Sequence, residues 1–163
     1  MTKSHQIVEL HLLLSFQIAQ LNTQLSNQER AVLAQHGALS PAQWRILRVL
    51  GEGAADTTTA VRKMAAIDKG QFSKTINNLV GDGYVLLSAY AKDKRQMVIG
   101  LTKKGSHAFD TITPDLDARN EHLLAALNEI ERSTIYSAIE ALSKASERTE
   151  FSTANAGHSK KRE

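Results

Sequence analysis

The 163-residue chain contains no cysteine. That excludes disulfides, thiolate metal ligands and any switching by thiol oxidation. Proline occurs only twice, which leaves long stretches free to be helical. No apolar run approaches the roughly 18 residues of a membrane span, and Met1 to Gln6 leads into a mixed stripe rather than a signal peptide with a small-residue cleavage site. A cytoplasmic location without membrane contact is the expectation. The six histidines show no metal-ligand grouping. His5 and His11 share no helix face, and His36, His107 and His122 stand isolated. Neither a nucleophile–base pair nor a glycine-rich phosphate loop is visible. No metal, no cofactor and no enzymatic activity are therefore expected.

What is present is sorted by charge. The formal net charge of +3 hides a strong asymmetry along the chain. Residues 1–61 balance four cations against four acidic groups. Residues 62–105 hold nine Lys and Arg against three Asp. Residues 106–150 reverse this, with nine acidic against four basic groups. A basic block in the middle of the chain is the footprint expected of phosphate contact. The plain alternative is a solvated basic surface with no partner.

The pattern of apolar residues orders the elements. Ile7, Leu10, Leu14, Ile18, Leu21, Leu25 and Val32 step by threes and fours, which predicts one helix over about 5–35. Leu12, Leu13 and Phe16 widen its stripe beyond one face, so the helix requires a partner. Ser40-Pro41-Ala42-Gln43 is a helix start with a capping box and proline at the first position. The helix it opens buries Trp44, Leu47 and Leu50 and stops at Gly51-Glu52-Gly53. Thr57 to Thr59 can cap a short helix to about Ile67, with Val61, Met64 and Ala65 inward. Asp68 caps the next helix, in which Phe72, Ile76 and Leu79 face inward and which ends at Gly81-Asp82-Gly83. Tyr84 to Tyr90 predicts a strand, Ala91 to Lys94 a polar turn, and Gln96 to Leu101 a second strand. Thr102 opens a long helix that Pro114 should kink or restart. Asn128 with Glu131 starts a last helix carrying Ile135, Ile139 and Leu142. From about Phe151 the chain turns polar and basic, which predicts a disordered tail.

The fold class is thus mainly α with a small β-hairpin. Three helices followed by a hairpin is the winged helix-turn-helix arrangement. In that arrangement the third helix enters the DNA major groove, and the hairpin reaches the neighbouring backbone or minor groove.

The same residues resemble the MarR-type transcriptional regulators from about residue 5 to 148. The sharpest part is Asp93-x-Arg95, then five residues, Leu101-Thr102, two residues and Gly105. Upstream, Leu79-Val80-Gly81-Asp82-Gly83-Tyr84-Val85 looks like the family's helix end and entry to the wing. The resemblance implies a homodimer built from the first and last helices, with two winged domains on a pseudo-palindromic operator. It divides the chain into an N-terminal dimerisation helix (1–36), a winged helix-turn-helix region (37–102), C-terminal dimerisation helices (103–150) and the basic tail (151–163). Many members release DNA on binding a small, often phenolic molecule; the residues that would hold such an effector here are not identified. One departure is Leu87, where the family usually carries arginine.

With Phe72, Ile76 and Leu79 inward, the opposite helix face carries Gly70, Gln71, Lys74, Asn77 and Asn78, with Ser73 at its border. Gln and Asn can pair bidentately with adenine, and Lys can reach guanine or phosphate. Arg95 suits a narrow minor groove, since a guanidinium is always charged and is more weakly hydrated than an ammonium. Asp93 orients Arg95 or closes the turn. Lys92 and Lys94 are expected on phosphates. A winged-helix module that binds protein instead of DNA is the rival reading, and the basic middle speaks against it.

Overall fold

The computed structural model describes residues 13–37, 39–90 and 93–149. The expected helix over residues 5–12, Lys92 at the hairpin tip, and the tail 151–163 lie outside the described residues. Within them run α1 (Leu14–Gln35), α2 (Pro41–Gly51), α3 (Thr58–Met64), α4 (Lys69–Gly81), β1 (Val85–Tyr90), β2 (Asp93–Leu101), α5 (Lys103–Ala125) and α6 (Glu129–Ala145). The chain divides into two compact units, with the boundary after Arg119. Among the described residues no helix is long and apolar enough to cross a membrane.

In the first unit, local sequence sets each helix start. The Ser40 hydroxyl accepts from Gln43 N, and Gln43 Oε1 accepts from Ser40 N at 2.8 Å, so two of the amides left open at the start of α2 are satisfied reciprocally. Thr57 caps α3, and Asp68 Oδ1 accepts from Gln71 N at 2.9 Å to cap α4. Between α3 and α4 the backbone turns sharply at Ala66, in the left-handed region at φ 51°. An alanine there is strained. The buried neighbours Ala65 and Ile67 hold it in place.

The core lies where these helices converge. Ile46, Leu47, Val61 and Leu79 are fully buried, joined by Leu33 of α1, Ile99 of β2, and Ile112 and Leu116 of α5. Trp44 is core as expected, stacked on Phe109 with ring centroids 6.3 Å apart. Met64 departs from expectation. It is 56% exposed, because Val61 and Ala65, one turn apart, take the inner face and Met64 ends the helix pointing to solvent.

The hairpin is antiparallel, with Val85 opposite Leu101, Leu87 opposite Ile99 and Ala89 opposite Met97. The register then jumps, and Tyr90 pairs with Asp93. The polar turn expected over Ala91 to Lys94 is therefore shorter. Asp93, Lys94 and Arg95 belong to β2, because the irregular pairing beyond Ala89 lets the longer strand absorb the extra residues. Backbone also ties the hairpin to the helical lobe: Thr57 bridges Val98, and Ile99 N donates to Asp56 O at 2.7 Å.

At the base of the hairpin, the Thr102 hydroxyl donates to Gly83 O at 2.7 Å and accepts from Gly105 N at 3.1 Å. Thr102 N donates to Tyr84 O at 3.0 Å. Gly105 packs so closely that a Cβ there would fall inside the Tyr84 carbonyl oxygen. α5 continues through Pro114 as one helix, so of the expected kink or restart the restart does not occur. Ile112 and Leu116 are buried on either side of the proline, and that packing outweighs the lost hydrogen bond. Beyond it, Asp115 pairs with His36 at 2.6 Å, Asp117 with Arg48 at 2.9 Å, and Arg119 donates to Leu25 O at 2.8 Å. Burial pushes the Glu29 carboxyl up from its ordinary value, against the opposing pull of Arg45, Arg119 and Arg30.

In the second unit Asn128 and Glu131 form a reciprocal capping box, and Arg132 Nε donates to Leu124 O at 2.7 Å across the α5–α6 turn. No residue of α6 is buried. Ile130, Tyr136, Ile139 and Leu142 are all exposed.

Substitutions at the wing base and at the α4 cap test this scheme. Gly105→Ala forces a methyl against a backbone carbonyl and is expected to cost about 1–3 kcal/mol or more, whereas Gly81→Ala, where a Cβ meets open space, leaves the thermal midpoint within a degree or two of the parent. Asp68→Ala removes the α4 cap and is expected to cost about 1 kcal/mol, with Asp68→Asn retaining most of it. Thermal or urea unfolding followed by circular dichroism reads both.

Candidate nucleic-acid interface

α4 is amphipathic by the spacing of three residues. Phe72, Ile76 and Leu79 face inward and are buried. The Thr75 hydroxyl turns back to Gln71 O at 2.7 Å, closing that side. Gly70, Gln71, Ser73, Lys74, Asn77 and Asn78 are all exposed, so the structure brings the six expected helix residues to the outer surface of one element. Their side chains are not equivalent. The Ser73 hydroxyl donates to Lys69 O at 3.1 Å, so its proton is committed within the helix.

The expected wing residues Asp93, Lys94 and Arg95 form the first three positions of β2, next to the hairpin tip. Their strand is anchored at its other end, through Val98, Ile99 and Thr102, to the loop before α3 and to the start of α5. A rigid base thus carries the cationic end of the hairpin.

The basic block does not act as one patch. Lys104 Nζ donates to Asp82 O at 2.6 Å and lies 4.3 Å above the Tyr84 ring. This cation packs across the base of the wing, tied there by one carbonyl and one ring. Lys63, Lys69 and Lys74 are exposed, and among the described residues none forms an ion pair. Asp68, the acid nearest to them in sequence, is occupied in capping α4.

Sequence reasoning missed one feature beside α4. An open groove of about 500 Å³ separates α3 from the first turns of α4. Thr58, Thr59 and Arg62 line it from α3, and Lys69, Ser73 and Asn77 from α4, over Phe72 and Ile76. Arg62 and Lys69 register in the sequence only as two charges of the basic block. Their convergence depends on the left-handed turn at Ala66, which no residue type announces.

Elsewhere, a cleft of about 600 Å³ lies between the end of α2, the strand β2 and α5, with Phe109, Asp56 and Asp110 among its walls. Among the described residues no three His, Asp or Glu side chains are grouped to hold a metal ion. His36 spends its Nε2 on Asp115.

Comparison with known proteins agrees with this geometry. Residues 39–105 match the family model of a winged helix DNA-binding domain. Curated relatives from Clostridium symbiosum and Staphylococcus aureus, 27% identical over 89 and 86 residues, are named HTH-type transcriptional regulators. These matches take in 53% of this chain, which spans about six-tenths of the length of those relatives, 62% and 59%. Among solved structures, a MarR/EmrR family transcriptional regulator from Acinetobacter superposes with a TM-score of 0.74 at 23% identity, over 82% of this chain and 94% of its own. The MepR–DNA complex of S. aureus gives 0.74 at 18% identity, over 82% and 98%. NadR in complex with 4-hydroxyphenylacetate gives 0.68 at 22% identity, over 88% and 98%. Residues 39–105 thus match a winged helix DNA-binding domain, and the chain shares the fold of the MarR/EmrR-type structures it superposes on.

Proposed function

We propose that this protein is a sequence-specific transcriptional regulator, a repressor that acts as a homodimer on a pseudo-palindromic operator and is released by a small-molecule effector. The observation that carries the reading is the exposed polar face of α4, presented by a capped and rigidly packed helix inside a winged helix DNA-binding domain. Gln71, Asn77 and Asn78 read bases, while Gly70 and Ser73 let the helix approach closely. Lys74 reaches guanine or phosphate. Arg95 enters the minor groove with Asp93 orienting it, and Lys92 and Lys94 hold the backbone. A solved relative of the same fold is bound to DNA.

The homodimer follows from uncovered apolar surface. In α1, Leu14, Ile18 and Leu21 of the apolar stripe are exposed, as is Phe16 beside it, although the stripe's later member Val32 packs against the core. In α6, Ile139 and Leu142 lie one turn apart on one face and are exposed too. Apolar surface of this extent marks an interface, and a second copy of the chain supplies matching helices. The domain boundaries read from the sequence, with dimerisation helices flanking the winged region, fit this distribution. The effector is a small aromatic or phenolic molecule, in keeping with the 4-hydroxyphenylacetate bound to a relative of the same fold. The protein works where its DNA is, in the cytoplasm, and carries out no reaction of its own.

Two measurements test this. Sedimentation at micromolar concentration is expected to give a dimer; a folded monomer there rejects the assembly. Binding to a selected operator and to a scrambled duplex, each across a salt series, tests the contacts. Arg95→Ala is expected to cost about 1–3 kcal/mol of operator affinity. Lys92→Ala weakens both duplexes alike and lowers the salt slope by about one per half-site. Gln71→Ala shifts which operator bases matter and leaves the slope nearly unchanged. If all three variants bind both duplexes as the parent does, the fold serves a protein partner instead.

A further inference from the structure

The cleft between the end of α2, β2 and α5 has a volume of about 600 Å³, within the range of roughly 300–1,000 Å³ found for small-molecule sites. Its wall is mostly apolar, with Leu50, Ile99, Leu101 and Phe109 set among small residues. Phe109 is a fixed part of that wall. Its ring stacks on Trp44, lies under the Arg48 guanidinium, and occupies the place that a Cβ on Gly51 would take. Two carboxylates stand in this apolar setting, Asp56 from the loop before α3 and Asp110 from α5, and no Lys, Arg or His lines the cleft. Among the described residues neither carboxylate makes an ion pair or a side-chain hydrogen bond. That combination sorts the occupants. A carboxylate or phenolate meets two negative charges with nothing to offset them. A bare metal ion fills little of the volume, and among the described residues no third His, Asp or Glu joins the pair. A neutral apolar body suits the wall but gives the two acids no partner. A compact apolar body with one positive charge suits both.

We infer that this cleft binds a small organic cation, a protonated amine or amidinium on an aromatic or branched aliphatic body, with its charge on Asp56 and Asp110 and its body against Phe109, Ile99 and Leu101. The site goes beyond the DNA-binding reading and does not depend on it. Its charge preference is also opposite to that of an anionic phenolic effector, so the two ligand classes do not compete for it. The position in the fold gives the occupant leverage. Asp56 and Ile99 are joined by the 2.7 Å backbone bond that ties the wing to the helical lobe, and both line the cleft. A cation seated there touches both ends of that tie and the start of α5 at once.

The experiment titrates the full chain with three ligands of one shape and different charge: benzamidinium, benzamide and benzoate. Trp44 is the sole tryptophan and stacks on the Phe109 wall, so its emission reports occupancy, while calorimetry gives the stoichiometry. Benzamidinium is expected to saturate one site per chain, to weaken as salt rises, and to bind about tenfold more tightly than benzamide or benzoate. Asp56→Asn and Asp110→Asn are each expected to weaken it about two- to fivefold, as for an exposed charge pair, and the double variant about tenfold. Both side chains are exposed, so these variants keep the fold. Glu140→Gln, exposed on α6, keeps the parental affinity. Phenethylammonium, longer and more flexible, is the second cationic probe. If neither cation gives a saturable response, if benzoate binds as tightly as benzamidinium, or if the double variant binds like the parent, the cleft is not a cation site. The DNA reading is untouched by any of these outcomes, because no DNA enters the experiment.

Discussion

The hydroxyl of Thr102 and the bare α-carbon of Gly105 hold the protein's working parts in register. Thr102 reaches back to the carbonyl of Gly83 while its oxygen caps the start of α5. Gly105 lets α5 press against the carbonyl of Tyr84. One side chain and one missing side chain thus join the end of α4, the start of β1 and the start of α5 at a single point. Lys104 adds a lid, bonded to Asp82 O and lying over Tyr84. Wing and α4 share this base, so a displacement of one displaces the other. The proposed reading of two grooves at once would need that coupling, because an error of an ångström or two between the parts breaks hydrogen bonds to base edges.

Much of the fold was legible because it is written locally. Ser40 with Gln43, Thr57, Asp68, and Asn128 with Glu131 each start a helix where the sequence places them. A cap needs only three or four consecutive residues, so its signal survives in a single sequence. The inward faces of α2 and α4 were legible for a similar reason, since helical spacing alone assigns them. The failures are all tertiary. Of the kink or restart expected at Pro114, the restart does not occur, because Ile112 and Leu116 are locked into a core that the local sequence does not reveal. Met64 points outward because α3 ends there. β2 begins at Asp93 because of an irregular pairing with β1 that the alternation of residues does not encode. The site divides the same way. The polar face of α4 could be read from periodicity, whereas the α3–α4 groove is created by a left-handed alanine and the packing around it.

The uncovered apolar residues of α1 show how one helix can serve two purposes. Its later part is committed to the lobe: Leu33 is buried, Glu29 is desolvated among arginines, and His36 is tied to Asp115. Its earlier part carries Leu14, Ile18 and Leu21 of the apolar stripe, which are exposed. A stripe that continues past the edge of its own core implies that a second surface takes over. Burying Glu29 disfavours its charged form, and its folded-state affinity for a proton is therefore above that of the unfolded chain. Such a group adds stability at acid pH and loses it as pH rises through the shifted value, so it is retained at neutral pH at some expense to stability. The arginines around it, Arg45 and Arg119 foremost, limit that expense, and they belong to α2 and α5, the two helices that α1 must hold.

Leu87 shows that the wing is set differently here from the pattern the sequence resembles. An arginine at that position would bring a charge to the base of the hairpin. Leucine instead faces Ile99 across the strands, with the pair Ala89 and Met97 next toward the tip. The hairpin is then tied to the lobe by backbone: the bridge between Thr57 and Val98 and the bond from Ile99 N to Asp56 O, beside the Thr102 bonds at its base. Backbone bonds and apolar packing are insensitive to salt, whereas an exposed ion pair is screened by it. These ties at Val98 and Ile99 are therefore insensitive to ionic strength, where a charge pair in their place would be screened.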